Sequence, residues 1–178
     1  MRELLRERDW SAVTMSDVAR SAGISRQTLY KEFSSRQGLA QGYALRLVDE
    51  FADAVADSVY AHVGDARAAL VDGFASYFAA SAVDPLVRSL LDGEAKPDLL
   101  RLITTDAEPI LERGAGRLAD TFANSWISAP ARDAGMLARV VVRVALGFIS
   151  MPPTSGSDVA AELADILVPF VEKVAVTD

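Results

Sequence analysis

The side chains best suited to chemistry gather in one short stretch, Arg26-Gln27-Thr28-Leu29-Tyr30-Lys31. Wound into a helix, this stretch turns Leu29 to one side and Arg26, Gln27, Thr28, Tyr30 and Lys31 to the other. Cations, hydroxyls and an amide with few carboxylates among them match phosphate oxygens and base edges. Arginine pairs well with guanine O6/N7 and glutamine with adenine N6/N7, each worth about 1–3 kcal/mol of discrimination. Arg26, Gln27 and Lys31 are therefore the candidates for reading bases. Elsewhere the chain offers little reactive chemistry. It has no cysteine and one histidine, His62, so a thiolate or histidine metal site and a Ser–His–Asp arrangement are both out of reach. His62 reads as a cap or surface group. Carboxylates such as Asp106, Glu108 and Glu112 have no nucleophile–base pair beside them. The sequence predicts a non-enzyme with no metal and no cofactor.

The elements that would present this face are legible around it. Thr14-Met15-Ser16-Asp17 has the form of an N-cap with an acid three residues on, opening a helix to about Ala22. Gly23 suits a left-handed C-cap. Ser25 caps the next helix, Arg26 to Phe33, and a first helix covers about Arg2 to Arg8. Val18, Ala19 and Ala22 face inward, Ile24 sits in the turn, and Leu29 and Phe33 face inward from the second arm. This is helix-turn-helix geometry, whose second helix projects from the surface. A merely packed corner with a solvated face would need the cap, the glycine, the inward set and the polar set to coincide by chance. Charge agrees with position. The net charge of −7 conceals a basic head, with eight Arg or Lys against five acids in residues 1–46, and an acidic remainder with ten against twenty. Such a chain meets phosphate at one end only.

"TMSDVARSAGISRQTLYKEFSSRQGL" resembles the DNA-binding head of TetR-type one-component regulators, strongly over residues 10–50. The resemblance implies that Tyr30 is a phosphate-contacting tyrosine. It implies that Thr14 and Arg36 meet phosphate at the starts of their helices; Ser25, which caps the recognition helix, and the outward Thr28 complete the candidate DNA-binding set. Two features depart from the family pattern. The usual basic stretch ahead of the first helix is missing, as if the chain began inside that helix, and Gln27 stands where a small residue is common.

Past residue 46 no strand-like alternation is sustained. Helices are predicted near 66–82, 85–92, 97–105, 107–126, 133–150 and 157–174, separated by proline and glycine signals that include Pro152-Pro153. The expected fold is all-α, with a three-helix head over 1–45 and a helical ligand-binding and dimerisation domain over 46–178. A long fourth helix joins them. Its apolar residues Leu39, Tyr43, Leu47, Phe51 and Val55 recur every four, overshooting one face by about 40° per step, so its two ends should bury against different partners. Pro169 should bend the last helix or leave a carbonyl unpaired.

One recognition helix covers too few base pairs to be selective, so a homodimer is expected on operator DNA. Val140, Val144, Leu163, Leu167 and Phe170 on the last two helices are its candidate interface. Arg139 and Arg143 should pair with Glu162 or Asp165. A hydrophobic effector, fatty-acid-like or lipid-like, is expected among Phe51, Phe74, Tyr77, Phe78, Leu86, Leu90, Leu102, Ile103, Leu111, Phe122, Trp126 and Phe148, with Tyr77, Arg101 or Asn124 at its polar end. The predicted function is a repressor released from DNA by that effector. The competing reading is an all-helical lipid- or protein-binding module that never touches DNA. With no membrane-spanning run and no signal peptide, the expected location is the cytoplasm and no membrane partner is expected.

Overall fold

The head folds because its caps and turn agree with its apolar pattern. A computed structural model describes residues 1–91, 97–151 and 158–175, and all regular structure among them is helical. Helix α1 spans Arg2–Glu7, a single 3-10 turn spans Trp10–Ala12, and α2 spans Met15–Ser21. The α2 capping box is complete. The Asp17 amide donates to Thr14 Oγ1 at 3.2 Å and the Thr14 amide donates back to Asp17 Oδ2 at 3.1 Å. The Thr14 hydroxyl, donating to Asp17 Oδ2 at 2.7 Å, and then the Thr14 amide hold the Asp17 carboxyl below its usual range. Gly23 takes a left-handed φ of 68° in the turn, which only glycine adopts without strain. Helix α3, Arg26–Phe33, follows with Ser25 accepting from the Thr28 amide at 3.0 Å.

Helix α4, Arg36–Ala61, runs from head to body. Its winding stripe behaves as the overshoot requires. Leu39 and Tyr43 pack into one apolar cluster with Leu5, Trp10, Val18 and Leu29, while Phe51 and Val55 pack into a second with Phe74, Leu118 and Phe122. Helices α5 (Ala66–Val83), α6 (Pro85–Leu91), α7 (Pro97–Ile103), α8 (Glu108–Asn124), α9 (Ala131–Ser150) and α10 (Val159–Val174) build the body. Helix α8 packs on α4 and α9, and α5 packs on α4 and α10. The expected Pro152-Pro153 break lies outside the described residues. Pro169 sits on the exposed side of α10.

The first cluster does not stop at residue 45. It takes in Leu86, Leu99, Leu102 and Ile110 from α6, α7 and α8. Two hydrogen bonds reinforce this junction. Trp10 Nε1 donates to Asp98 at 2.8 Å, and Gln37 Nε2 donates to Asp106 at 3.0 Å. A midway brace ties the connector to α8: Arg113 grips Asp49 with two bonds of 2.7 and 2.8 Å, and Arg117 bridges Asp49 and Asp53. Arg139 and Arg143 do not find the expected acids. Asp165 pairs instead with Arg67 of α5 at 2.9 Å, because α10 lies on α5, and Arg139 and Arg143 of α9 stay exposed with no ion pair among the described residues.

Candidate DNA-reading face and effector cavity

On α3, Leu29 is buried and anchors the helix to the head, which leaves Arg26, Gln27, Thr28, Tyr30 and Lys31 exposed on the other side. Arg26 and Lys31 carry no ion pair among the described residues, so both cations are available to an anion. Thr28 and Ser25 are partly committed to each other, hydroxyl to hydroxyl at 2.8 Å. They hold the start of the helix while both residues stay exposed. The Thr14 hydroxyl is likewise engaged, with Asp17 at 2.7 Å, although the residue is exposed.

Arg36 departs from its expected role. Its guanidinium lies over the Trp10 ring, 4.2 Å from the centroid, and Nη2 donates to the Trp10 carbonyl oxygen. Its Nε is buried with no hydrogen-bond partner. Spacing from the helix start could not reveal this, because the attraction comes from an aromatic face 26 residues earlier.

The body contains a cavity of about 290 Å³ against the head–body junction. Of the expected set, Phe51, Tyr77, Leu86, Leu90, Leu102 and Ile103 are among its lining residues, joined by Val48, Leu99, Ile110, Val142, Ala145 and Leu146. The other expected lining residues lie elsewhere. Phe74 and Phe122 face a separate void of about 10 Å³, too small for an effector. Phe78 and Phe148 meet edge to face at 5.3 Å, and Leu111 packs on the body core. Trp126 lies beyond the end of α8, donating from Nε1 to the Val59 carbonyl at 2.7 Å. Aromatic spacing on a helix marks core as readily as cavity, which is why half of that set lies outside the cavity.

The polar end of the cavity also differs from the expected one. Arg101 pairs with Asp106, and Asn124 bonds the Asp120 carbonyl of its own helix. Tyr77 does line the cavity, but its hydroxyl donates to the Ala145 carbonyl at 2.8 Å, and burial pushes its pKa upward. The charged lining residues are Arg2, Arg6, Glu50 and Asp84. Three of them form a knot with Tyr43. Arg2 Nη2 donates to Glu50 at 2.7 Å, while Arg2 Nε donates to the Tyr43 hydroxyl at 3.1 Å and lies 3.3 Å from Asp84. The Tyr43 hydroxyl donates to Asp84 at 2.9 Å, and burial pushes its pKa up to about 12. Burial alone would raise Glu50, but Arg2 and Arg46 outweigh it and hold the carboxyl below its usual range. Asp84 also caps α6, accepting from the Leu86 and Val87 amides at 2.9 and 3.3 Å. In sequence Asp84-Pro85 reads as a helix break only. The partner Arg2 is 82 residues away, and no local signal joins them.

On α9 and α10, Val140 is 44% exposed and Ile166 is 72% exposed, while Val144, Leu163 and Phe170 are half-buried. Leu167 faces inward and packs in the body core, so Ile166 takes its place on the outer surface. Among the described residues no helix is long and apolar enough to cross a membrane, and no group of acidic or histidine side chains could hold a metal ion.

The family model described as "Bacterial regulatory proteins, tetR family" matches residues 2–43, and that described as "Bacterial Tetracyclin repressor, C-terminal domain" matches residues 65–169. The chain is 58% identical over 173 residues to the HTH-type transcriptional regulator AlkX of Mycobacterium tuberculosis, spanning 97% of this chain and 82% of the relative. It is 29% identical over 174 residues to the uncharacterized HTH-type transcriptional regulator Rv1255c of the same species, spanning 94% and 80%. The crystal structure of the TetR family repressor AlkX from Dietzia sp. strain DQ12-45-1b, implicated in biodegradation of n-alkanes, superposes with a TM-score of 0.92. Identity to it is 45%, over 99% of this chain and 96% of that one.

Proposed function

The chain belongs to the TetR family of DNA-binding transcriptional regulators, and from that premise we propose that it is a cytoplasmic homodimeric repressor released from its operator by an elongated hydrophobic effector. It is not an enzyme. The head, residues 1–45, reads the duplex, with Arg26, Gln27 and Lys31 toward bases and Tyr30 and Thr14 toward phosphate. Arg36 is left out of the phosphate set because its guanidinium braces Trp10. The body, residues 46–178, holds the effector and presents Val140, Val144, Leu163, Ile166 and Phe170 to a second copy. Such a dimer must set its two recognition helices about 34–36 Å apart to enter successive major grooves.

One observation carries the effector reading. An apolar cavity of about 290 Å³ shares its wall with the head's first helix, through Arg2 and Arg6. A predominantly apolar space with a few convergent polar groups suits a small amphiphile or hydrocarbon. That chemistry is in keeping with the implication of the Dietzia repressor in biodegradation of n-alkanes. The mechanism is linkage. A ligand that favours a head spacing unsuited to DNA must weaken DNA binding, and DNA must weaken ligand binding by the same factor.

The test begins with binding-site selection from a random duplex pool. Tyr30→Ala should weaken binding to all sequences alike, and Gln27→Ala should relax preference at one position of each half-site by about 1–3 kcal/mol. Adding dodecanoate should release the selected duplex. Retention of the duplex by protein saturated with dodecanoate would overturn the effector reading.

A further inference from the structure

The knot at the head end of the cavity is built so that one of its members can leave. Arg2 belongs to α1, Tyr43 and Glu50 to α4, and Asp84 to the start of α6, so Arg2 ties the head to connector and body at once. Removing one partner of a buried ion pair is normally expensive because it strands the other charge. Here neither acid would be stranded. Glu50 keeps Arg46, whose Nε donates to it at 3.0 Å. Asp84 keeps the Tyr43 hydroxyl and two backbone amides. Arg6, one turn along α1 on the same cavity wall, carries no ion pair among the described residues. A negative group arriving at this end of the cavity therefore meets that cation and a second one that can be exchanged at low cost.

We infer that Arg2 is a positioning residue that couples the cavity to the head: the anionic end of an occupant draws its guanidinium away from Glu50 and Asp84, releasing α1 from α4 and α6. An uncharged chain of the same length fills the apolar part of the cavity and leaves the knot closed. Apolar bulk then decides whether a ligand binds, and terminal charge decides whether DNA is released. Loosening α1 reaches the DNA-reading face because Leu5 packs in the same cluster as Trp10, Val18 and Leu29, the residues that seat α2 and α3. The inference rests on the effector-cavity reading above and adds a requirement that reading does not contain.

The experiment uses the full chain, a fluorescent duplex chosen by selection, and two probes, dodecanoate and 1-dodecanol. Calorimetry measures whether each probe binds. Anisotropy measures the ratio of duplex Kd with saturating probe to that without. For the wild type, both probes bind, dodecanoate raises the duplex Kd at least about tenfold and 1-dodecanol less than about twofold. In Arg2→Met, which keeps the aliphatic stem, the two probes give the same small ratio. Arg2→Lys restores part of the difference, which a purely structural role for Arg2 would not do. If both probes bind the wild type and release DNA equally, the coupling role is overturned and the effector cavity stands. Arg2→Met keeping the full dodecanoate effect overturns it as well. If neither probe binds, the inference falls together with the reading it rests on. The wild-type comparison alone decides the matter should Arg2→Met fold poorly.

Discussion

A straight-chain ligand lying in the cavity should show a fixed gain per methylene and then stop gaining. An apolar protein cavity of about 150 Å³ holds one benzene, which is roughly 25 Å³ for each carbon. The 290 Å³ present here therefore accommodates on the order of twelve carbons. Each buried methylene contributes about 0.8 kcal/mol, close to a fourfold change in Kd. From octanoate to dodecanoate the affinity should rise by about 3 kcal/mol, roughly two-hundredfold. Beyond dodecanoate the increment should vanish or reverse, since extra carbons must stay in the mouth or force the walls apart. The length of the optimum can itself be moved. Ala145 is buried and lines the cavity, and Ala145→Leu adds three carbons, or about 75 Å³, a quarter of the space. The Tyr77 bond to residue 145 is made to its backbone carbonyl and survives the change. In that variant the optimum should shorten by about three carbons. Isothermal titration calorimetry from octanoate to octadecanoate, below the aggregation limit of each acid, gives both curves. Affinity that climbs fourfold per methylene through octadecanoate, or an optimum unmoved by Ala145→Leu, would refute the assignment of the chain to this cavity.

Three further outcomes follow from other parts of the molecule. A Cβ at Gly38 would collide with the Phe33 carbonyl in the tight turn between α3 and α4, so Gly38→Ala should cost about 1–3 kcal/mol in chemical denaturation and weaken duplex binding, whereas Gln41→Ala one turn along should not. Asp49 is held below its ordinary carboxylate range chiefly by Arg113. It therefore adds stability above that range, and the contribution is lost as pH falls through its lowered value. Asp49→Asn should lower Tm by a few degrees at most at neutral pH, since the partners are partly exposed, and flatten the fall in Tm on acidification. Val140→Glu and Ile166→Glu should each shift the protein toward monomer in analytical ultracentrifugation and weaken duplex binding, while Val63→Glu, in the α4–α5 turn and about as open as Ile166, leaves the dimer intact.

Local signals carry the head. The Thr14–Asp17 box, Gly23 and the Ser25 cap act within a few residues, and the helix bounds read from them agree with the structure to a residue. The winding of the α4 stripe is also legible, because helical geometry alone forces its two ends toward different neighbours. What sequence does not show are contacts between residues far apart. The resemblance makes Arg36 a phosphate contact, and nothing in its sequence neighbourhood announces Trp10. The cavity's polar end is expected at Tyr77, Arg101 or Asn124; Tyr77 does line the cavity, but Arg101 and Asn124 bond within their own segments, and the charged lining comes from Arg2 and Arg6 of the head, Glu50 of the connector and Asp84 at an apparent helix break. The aromatics that miss the cavity share one cause. Phe74, Phe122 and Trp126 have the right spacing to face inward, but facing inward does not separate a packed core from an empty one.

Reciprocal linkage is the measurement that bears hardest on this scheme. Dodecanoate affinity should be determined by calorimetry on the free protein and on protein saturated with its selected duplex, and duplex affinity with and without saturating dodecanoate. The two ratios should be equal and at least about tenfold. Equal dodecanoate affinity in the presence and absence of duplex would show that cavity and DNA-reading face are uncoupled, and would contradict it.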